Sequence, residues 1–340
     1  MKKKLSIILF PGIAEIPVLI IPIVLVIGFI SGCAEKLTTL PEQLQTQPQP
    51  TAVVDSVPKS KAGNGKQEVF RDLAYGSLSP AQILDLYIPD GNGPFSLVII
   101  IHGGGFMTGD KTNGAEVSRV PVLLKEGYAV ASVNYRLSGE TIFPAQIHDV
   151  KVAVRYLRTN APKYRINPDH FGAWGSSAGG TLAALLGTTC GVTELEGANL
   201  GNAEQSSCVQ AVVDWFGLVE LLKMDEQFEG TGCPGGYNNA DSAESQWVGA
   251  PIQTVPDLVY KTNPMNYIDP TDPPFFIQHG SGDCRVPPEQ SRELADALRA
   301  VIGDDNVYYS EIPGAVHGGG LFKTEANFNL VINFLDSYLK

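Results

Sequence analysis

The sequence predicts an α/β fold with a mostly parallel central sheet and helices on both faces. Three observations carry this. Apolar runs rich in β-branched residues recur along the chain and end in turn residues, as in "SLVIIIHGGG". Such runs fit strands buried on both faces. Between them lie segments with apolar residues at helical spacing. The two alternate over roughly 250 residues, which is the pattern of a parallel sheet with crossover helices.

The elements follow in order. "VFRDLAYGS" and "ILDLYIP" read as an opening pair of strands, the second alternating apolar and polar positions. "SLVIII" is a buried strand, Val117 to Glu126 a helical segment, and "YAVASVNYRL" another buried strand. "FPAQIHDVKVAVRYLRTNAPKY" carries Val150, Ala153, Val154 and Leu157 on one stripe and reads as an amphipathic helix. "HFGAWGSSAGGTLAALLG" reads as strand, sharp turn and helix. "VQAVVDWFG", "PPFFIQHGSGD" and "NVYYSEIPG" supply three further strands, and "NFNLVINFLDSYLK" a closing helix. Between about 218 and 270 the alternation lapses into Gly, Pro and Asn. A long irregular stretch inside a compact domain is usually a functional excursion, and this one is expected to form a lid.

The first residues follow a different logic. Lys2, Lys3 and Lys4 precede an apolar run that reaches Ile30 and closes with "SGC" at Cys33. A basic start, an apolar stretch and small residues before a cleavage point describe an export signal. The run ending at Cys33 resembles the bacterial lipoprotein signal, which implies a lipid on Cys33 and a protein held in the cell envelope. A single transmembrane anchor is the rival, although Pro11, Glu15, Pro17 and Pro22 make an imperfect span. The expected organisation is a signal over 1–32, a linker rich in Pro, Gln and Ser over 33–65, and a catalytic domain over 66–340. With Cys33 set aside, Cys190, Cys208, Cys233 and Cys284 remain. An even number in an exported chain favours disulfides. Three connectivities can be drawn; the preferred one joins Cys190 to Cys208 and Cys233 to Cys284, and four free thiols are the alternative. No cysteine or histidine spacing suits a metal. A net charge of −12 argues against a nucleic-acid partner, since phosphates would be repelled.

In a parallel sheet the site lies beyond the carboxyl ends of the strands. "Gly175-Ser176-Ser177-Ala178-Gly179" fits G-x-S-x-G with Ser177 at its centre. A serine there needs small neighbours two residues away, so that strand and helix can pass closely. Ser176 lacks that register. The plainer alternative is that either serine only caps the helix. "His102-Gly103-Gly104-Gly105" ends an earlier strand, and its glycines would let backbone amides approach a substrate oxygen. The amide of Ala178, after the serine, is the second expected source of such donors.

A base and an acid should follow Ser177 in the order acid, then histidine. Only His279 and His317 lie well past it. His279 ends a strand and reads as structural, whereas His317 sits in a glycine-rich loop and is the expected base. Asp283 in "HGSGDCRVP" is the preferred acid, Asp214 the alternative, and Asp269 and Asp272 weaker ones.

From about Val69 onward the chain resembles the α/β-hydrolase esterases. It is most similar to the bacterial feruloyl/acetyl esterase group within the hormone-sensitive-lipase-like branch. "LDLYIP", "HGGGF", "NYRL", "FPAQIHDVKVAVRYLR", "GSSAGG", "HGSGDCRVP" and "GAVHGGG" carry the likeness, in order. The resemblance implies Ser177, Asp283 and His317 as a triad and Gly103, Gly104 and Ala178 as oxyanion donors. It implies structural roles for Asn134, Arg136, Asp149 and Trp174, and no cofactor. The expected substrate is a short-chain acyl ester, a small molecule or one borne on plant polysaccharide. A peptidase or amidase on the same fold, prolyl-oligopeptidase-like or arylformamidase-like, is the alternative. A non-catalytic surface binding protein is a remote one. Oligomeric state is left open.

Overall fold

The computed structural model describes residues 67–340. The expected signal, the linker and Cys33 lie outside the described residues. The described part opens with two strands, β1 (Glu68–Ala74) and β2 (Ile83–Ile88), paired antiparallel. Then come β3 (Phe95–Ile101), the short helices α1 (Gly114–Val117) and α2 (Val120–Lys125), β4 (Ala129–Val133), α3 (Ala145–Thr159) and α4 (Ala161–Tyr164). The central strand β5 (Ile166–Ser176) leads directly into α5 (Ala178–Thr188), followed by β6 (Ala211–Trp215). Three short helices follow, α6 (Met224–Gln227), α7 (Ala243–Val248) and α8 (Pro256–Tyr260). The fold ends with β7 (Phe275–Gly280), α9 (Pro288–Ile302), β8 (Val307–Ile312) and α10 (Glu325–Leu339).

The eight strands form one sheet in the order β1-β2-β4-β3-β5-β6-β7-β8. β2 pairs antiparallel with β4, and all pairings from β4 to β8 are parallel. Alternate side chains of β3 divide between two cores. Leu97, Ile99 and Ile101 pack with residues of α3, α5 and α9, such as Val150, Leu182 and Leu294. Val98 and Ile100 pack with Leu123 of α2 and with Val331 and Leu335 of α10. The period-2 alternation of a strand thus supplies both faces of one sheet with apolar cover.

Three details depart from the sequence expectation. The alternation in β2 does not expose its polar positions: Asp85 is fully buried, with Oδ1 2.7 Å from Lys111 Nζ and Oδ2 2.6 Å from Arg71 Nη1. Those cations hold the carboxyl below its usual range against the opposing effect of burial. The helix expected through Tyr164 breaks at Asn160, which closes α3, and α4 starts anew at Ala161 with Pro162 in its first turn. The unanticipated element is α9, the crossover that parallel strands β7 and β8 require. Its Leu294, Ala295 and Leu298 are buried on the sheet.

The irregular region keeps no strand among its described residues. Its short helices are fixed by side-chain contacts to the rest of the domain. Trp247 of α7 stacks on Phe106 of the glycine-rich loop with centroids 3.7 Å apart, and its Nε1 donates to Gln146 Oε1. Both expected disulfides, Cys190–Cys208 and Cys233–Cys284, are present.

Candidate active site

The turn between β5 and α5 puts Ser177 at φ 56°, ψ −127°. A non-glycine residue in that region stores about 1–3 kcal/mol of strain. The flanking glycines explain how the turn is reached. A Cβ on Gly175 would lie 1.9 Å from the Gly179 oxygen, and one on Gly179 2.2 Å from the Ile101 oxygen. Strand, helix and neighbouring strand end pass too closely for any side chain. Ser177 occupies the N-cap position of α5, yet its side chain makes no capping hydrogen bond. Simple helix capping is therefore not what its hydroxyl does.

Ser177 Oγ lies 3.0 Å from His317 Nε2, and His317 Nδ1 lies 2.7 Å from Asp283 Oδ2. The three residues come from different strand ends: the turn after β5, the loop after β7 and the loop after β8. Phe216 packs on the His317 ring with centroids 4.6 Å apart. Asp283 is buried, and its Oδ1 accepts the amides of Arg285 and Val286 at 2.8 and 3.1 Å. Burial would raise its pKa, but hydrogen bonds from His279 and His317 overcome this and hold the carboxyl well below the usual range.

The other acids stand apart. Asp214 is fully buried behind the nucleophile helix, where its Oδ1 accepts the Gly217 amide at 2.9 Å. Asp269 and Asp272 close a local turn on each other. None of the three contacts a histidine among the described residues. His279 has its Nδ1 2.7 Å from Ser291 Oγ and its Nε2 2.9 Å from the Val286 oxygen. It braces the Asp283 loop from behind.

The glycine-rich loop lies against the serine turn. A Cβ on Gly103 would come 2.8 Å from the Ser176 oxygen, and Gly104 adopts φ +116°. Among the described residues the amides of Gly104 and Ala178 have no hydrogen-bond acceptor. Ser177's own amide is taken by the Trp215 oxygen at 2.9 Å. Asn134 and Arg136 do hold loops. Asn134 Nδ2 donates to Asp110 Oδ2 at 2.7 Å, and Arg136 grips Asp149 through Nε and Nη2, each at 2.8 Å.

Ser177 and His317 open into a cavity of about 630 Å³. One wall comes from the irregular region, through Gly235, Gly236, Tyr237, Ala243 and Glu244. Asp225 shapes that wall by accepting three successive amides, Gly236 to Asn238. Tyr237 Oη donates to the Arg285 oxygen at 2.6 Å. Another wall comes from α1 and the start of α2 through Glu116 and Arg119. Arg119 lies over the rings of Trp174 and Trp215 at 4.8 and 4.7 Å and donates from Nη2 to Ser176 Oγ. Burial pushes its pKa down to about 10. Sequence patterns did not single out Glu116, Asp225 or Tyr237, which stand in segments without periodicity or motif, nor Arg119, which lies in the expected helical segment Val117 to Glu126 but matches no motif.

Sheet order, serine turn and glycine-rich loop together define an α/β-hydrolase. The chain belongs to the BD-FAE family, whose model matches residues 84–298. It is 32% identical over 254 residues to Esterase LipC of Mycobacterium tuberculosis, covering 73% of this chain and 59% of that protein. It therefore spans little more than half the length of that relative. Among solved structures, a truncated carbohydrate esterase from gut microbiota is 34% identical with a TM-score of 0.73, covering 82% of this chain and 99% of that one. The bifunctional GH43-CE of Bacteroides eggerthii is 34% identical with a TM-score of 0.72, covering 82% of this chain and 36% of that one.

Proposed function

We propose that the protein is a serine carboxylic-ester hydrolase acting on short acyl esters, acetyl or feruloyl, of plant polysaccharide. One observation carries the reaction class: the hydrogen-bonded series Ser177–His317–Asp283 opens into a cavity beside the unpaired amides of Gly104 and Ala178. In this reading His317 Nε2 takes the Ser177 proton as Oγ attacks the ester carbonyl. Asp283 accepts the His317 Nδ1–H, fixes the tautomer and stabilises the imidazolium. Amides of Gly103 or Gly104 and of Ala178 receive the developing oxyanion. His317 returns the proton to the departing alcohol, leaving the acyl group on Oγ. Water, deprotonated by the same imidazole, then releases the acid and restores the serine. The substrate class draws on the likeness to carbohydrate esterases.

Ser177→Ala is expected to lower kcat for p-nitrophenyl acetate by about 10⁴-fold or more. Ser176→Ala is expected to keep at least roughly a tenth of the activity, since it removes only one hydrogen-bond acceptor. Full activity in the Ser177 variant would refute the assignment.

A further inference from the structure

The cavity contains charged groups that the reaction does not use. Glu116 and Arg119 line it and are 3% and 2% exposed. Glu116 Oε2 and Arg119 Nε and Nη1 have no hydrogen-bond partner, although all three atoms are buried. Trp215 Nε1, beside Arg119, has none either. Unsatisfied buried polar atoms cost free energy, and charged ones cost most. The Glu116 carboxylate acts on Arg119 through its charge, yet the two form no ion pair among the described residues. The side chains that line this end of the cavity thus carry one unpartnered acceptor and three unpartnered donors just beneath its surface, with both signs of charge.

We propose that Glu116 and Arg119 form a subsite for hydroxyl groups of a neutral sugar ring that bears the ester. A hydroxyl donates and accepts at once, so adjacent hydroxyls can answer a carboxylate and a guanidinium together. A carboxylate ligand would satisfy Arg119 but meet repulsion from Glu116. A purely apolar alcohol would leave every one of these atoms unpaired. The Trp215 indole adds a flat apolar surface with one N–H, a combination suited to a sugar face and its rim. The placement also fits the chemistry. Arg119 is bonded to Ser176 and lines the same cavity as Ser177, so a ring held here shares that cavity with the attacking oxygen. The inference rests on the ester-hydrolase reading for its meaning, but the binding it describes can be measured without turnover.

The test uses the purified protein and its Glu116→Gln and Arg119→Lys variants, with xylobiose titrated by calorimetry. Xylobiose should bind the wild type, and either variant should weaken that binding about tenfold, the worth of one charge-assisted hydrogen bond. Digalacturonate, a disaccharide bearing carboxylates, should bind the wild type more weakly than xylobiose. In kinetics, Glu116→Gln should lower kcat/KM for acetylated xylobiose about tenfold more than for p-nitrophenyl acetate. Absence of xylobiose binding to the wild type, tighter binding of digalacturonate, or equal kinetic losses on both esters would overturn the subsite. Loss of wild-type turnover on every ester, with xylobiose still bound, would instead count against the hydrolase reading and leave the subsite supported.

Discussion

Asp214 and Asp283 are both buried acids at the ends of neighbouring parallel strands, yet their surroundings drive them in opposite directions. Asp283 meets two imidazoles and two amides and stays ionised. Asp214 meets one amide, and burial raises its pKa from 3.8 to about 7. Folding therefore draws a proton onto Asp214 between about pH 4 and pH 7. Its contribution to stability is full below about pH 4 and is lost as pH rises to 7. Asp283 works the other way: its contribution is present above about pH 4 and fades only in acid. Asp214→Asn should accordingly gain stability relative to the wild type, on the order of a few kcal/mol, as pH is raised from 4 to 8. Melting curves across that range check this; parallel curves for the two proteins would contradict it. At this scale Ser177 was legible because its glycines are a steric requirement written in the sequence. The choice between the acids rests on strand-end position and on the family resemblance, since burial and amide partners are set by the fold.

Among the elements, most strands are legible as continuous apolar runs and the long helices α3 and α10 by their period. The α9 signal, Leu294, Leu298 and Ile302 on one stripe, is present in the sequence but follows two prolines and an acidic, polar turn. The region from 218 to 270 was legible only as irregular. Helices of four to six residues carry no period, and what fixes them is tertiary: the Asp225 carboxylate, the Trp247–Phe106 stack, and the Cys233–Cys284 bond. That bond ties the cavity wall to the residue beside Asp283. Replacing both cysteines by serine should cost about 2–4 kcal/mol in denaturant unfolding. It should also raise KM more than removal of Cys190–Cys208, which lies on no wall of the cavity. Equal KM values in the two double variants would show that the wall holds its place without the cross-link.

For the whole molecule, the reading of Cys33 as a lipid anchor remains a proposal about location. An anchored hydrolase would work at a membrane of the cell envelope. Cys33→Ala should abolish incorporation of labelled palmitate in growing cells, and label retained by the variant would remove the anchor from the account. The way the sheet is closed has a separate consequence. Leu335 and Leu339 of α10 lie against Gly172 of the central strand, so close that a Cβ there would come 2.8 Å from Leu339 Cδ1. The Leu339 oxygen also faces His170 Nδ1, in the same strand, at 2.7 Å. The middle of the sheet is thus covered by the last helix of the fold. During synthesis the nucleophile strand emerges well before its cover does, with the His317 loop arriving late as well. The chain must keep an apolar sheet centre from sticking to other molecules until α10 is free, so its most vulnerable moment precedes the existence of a site.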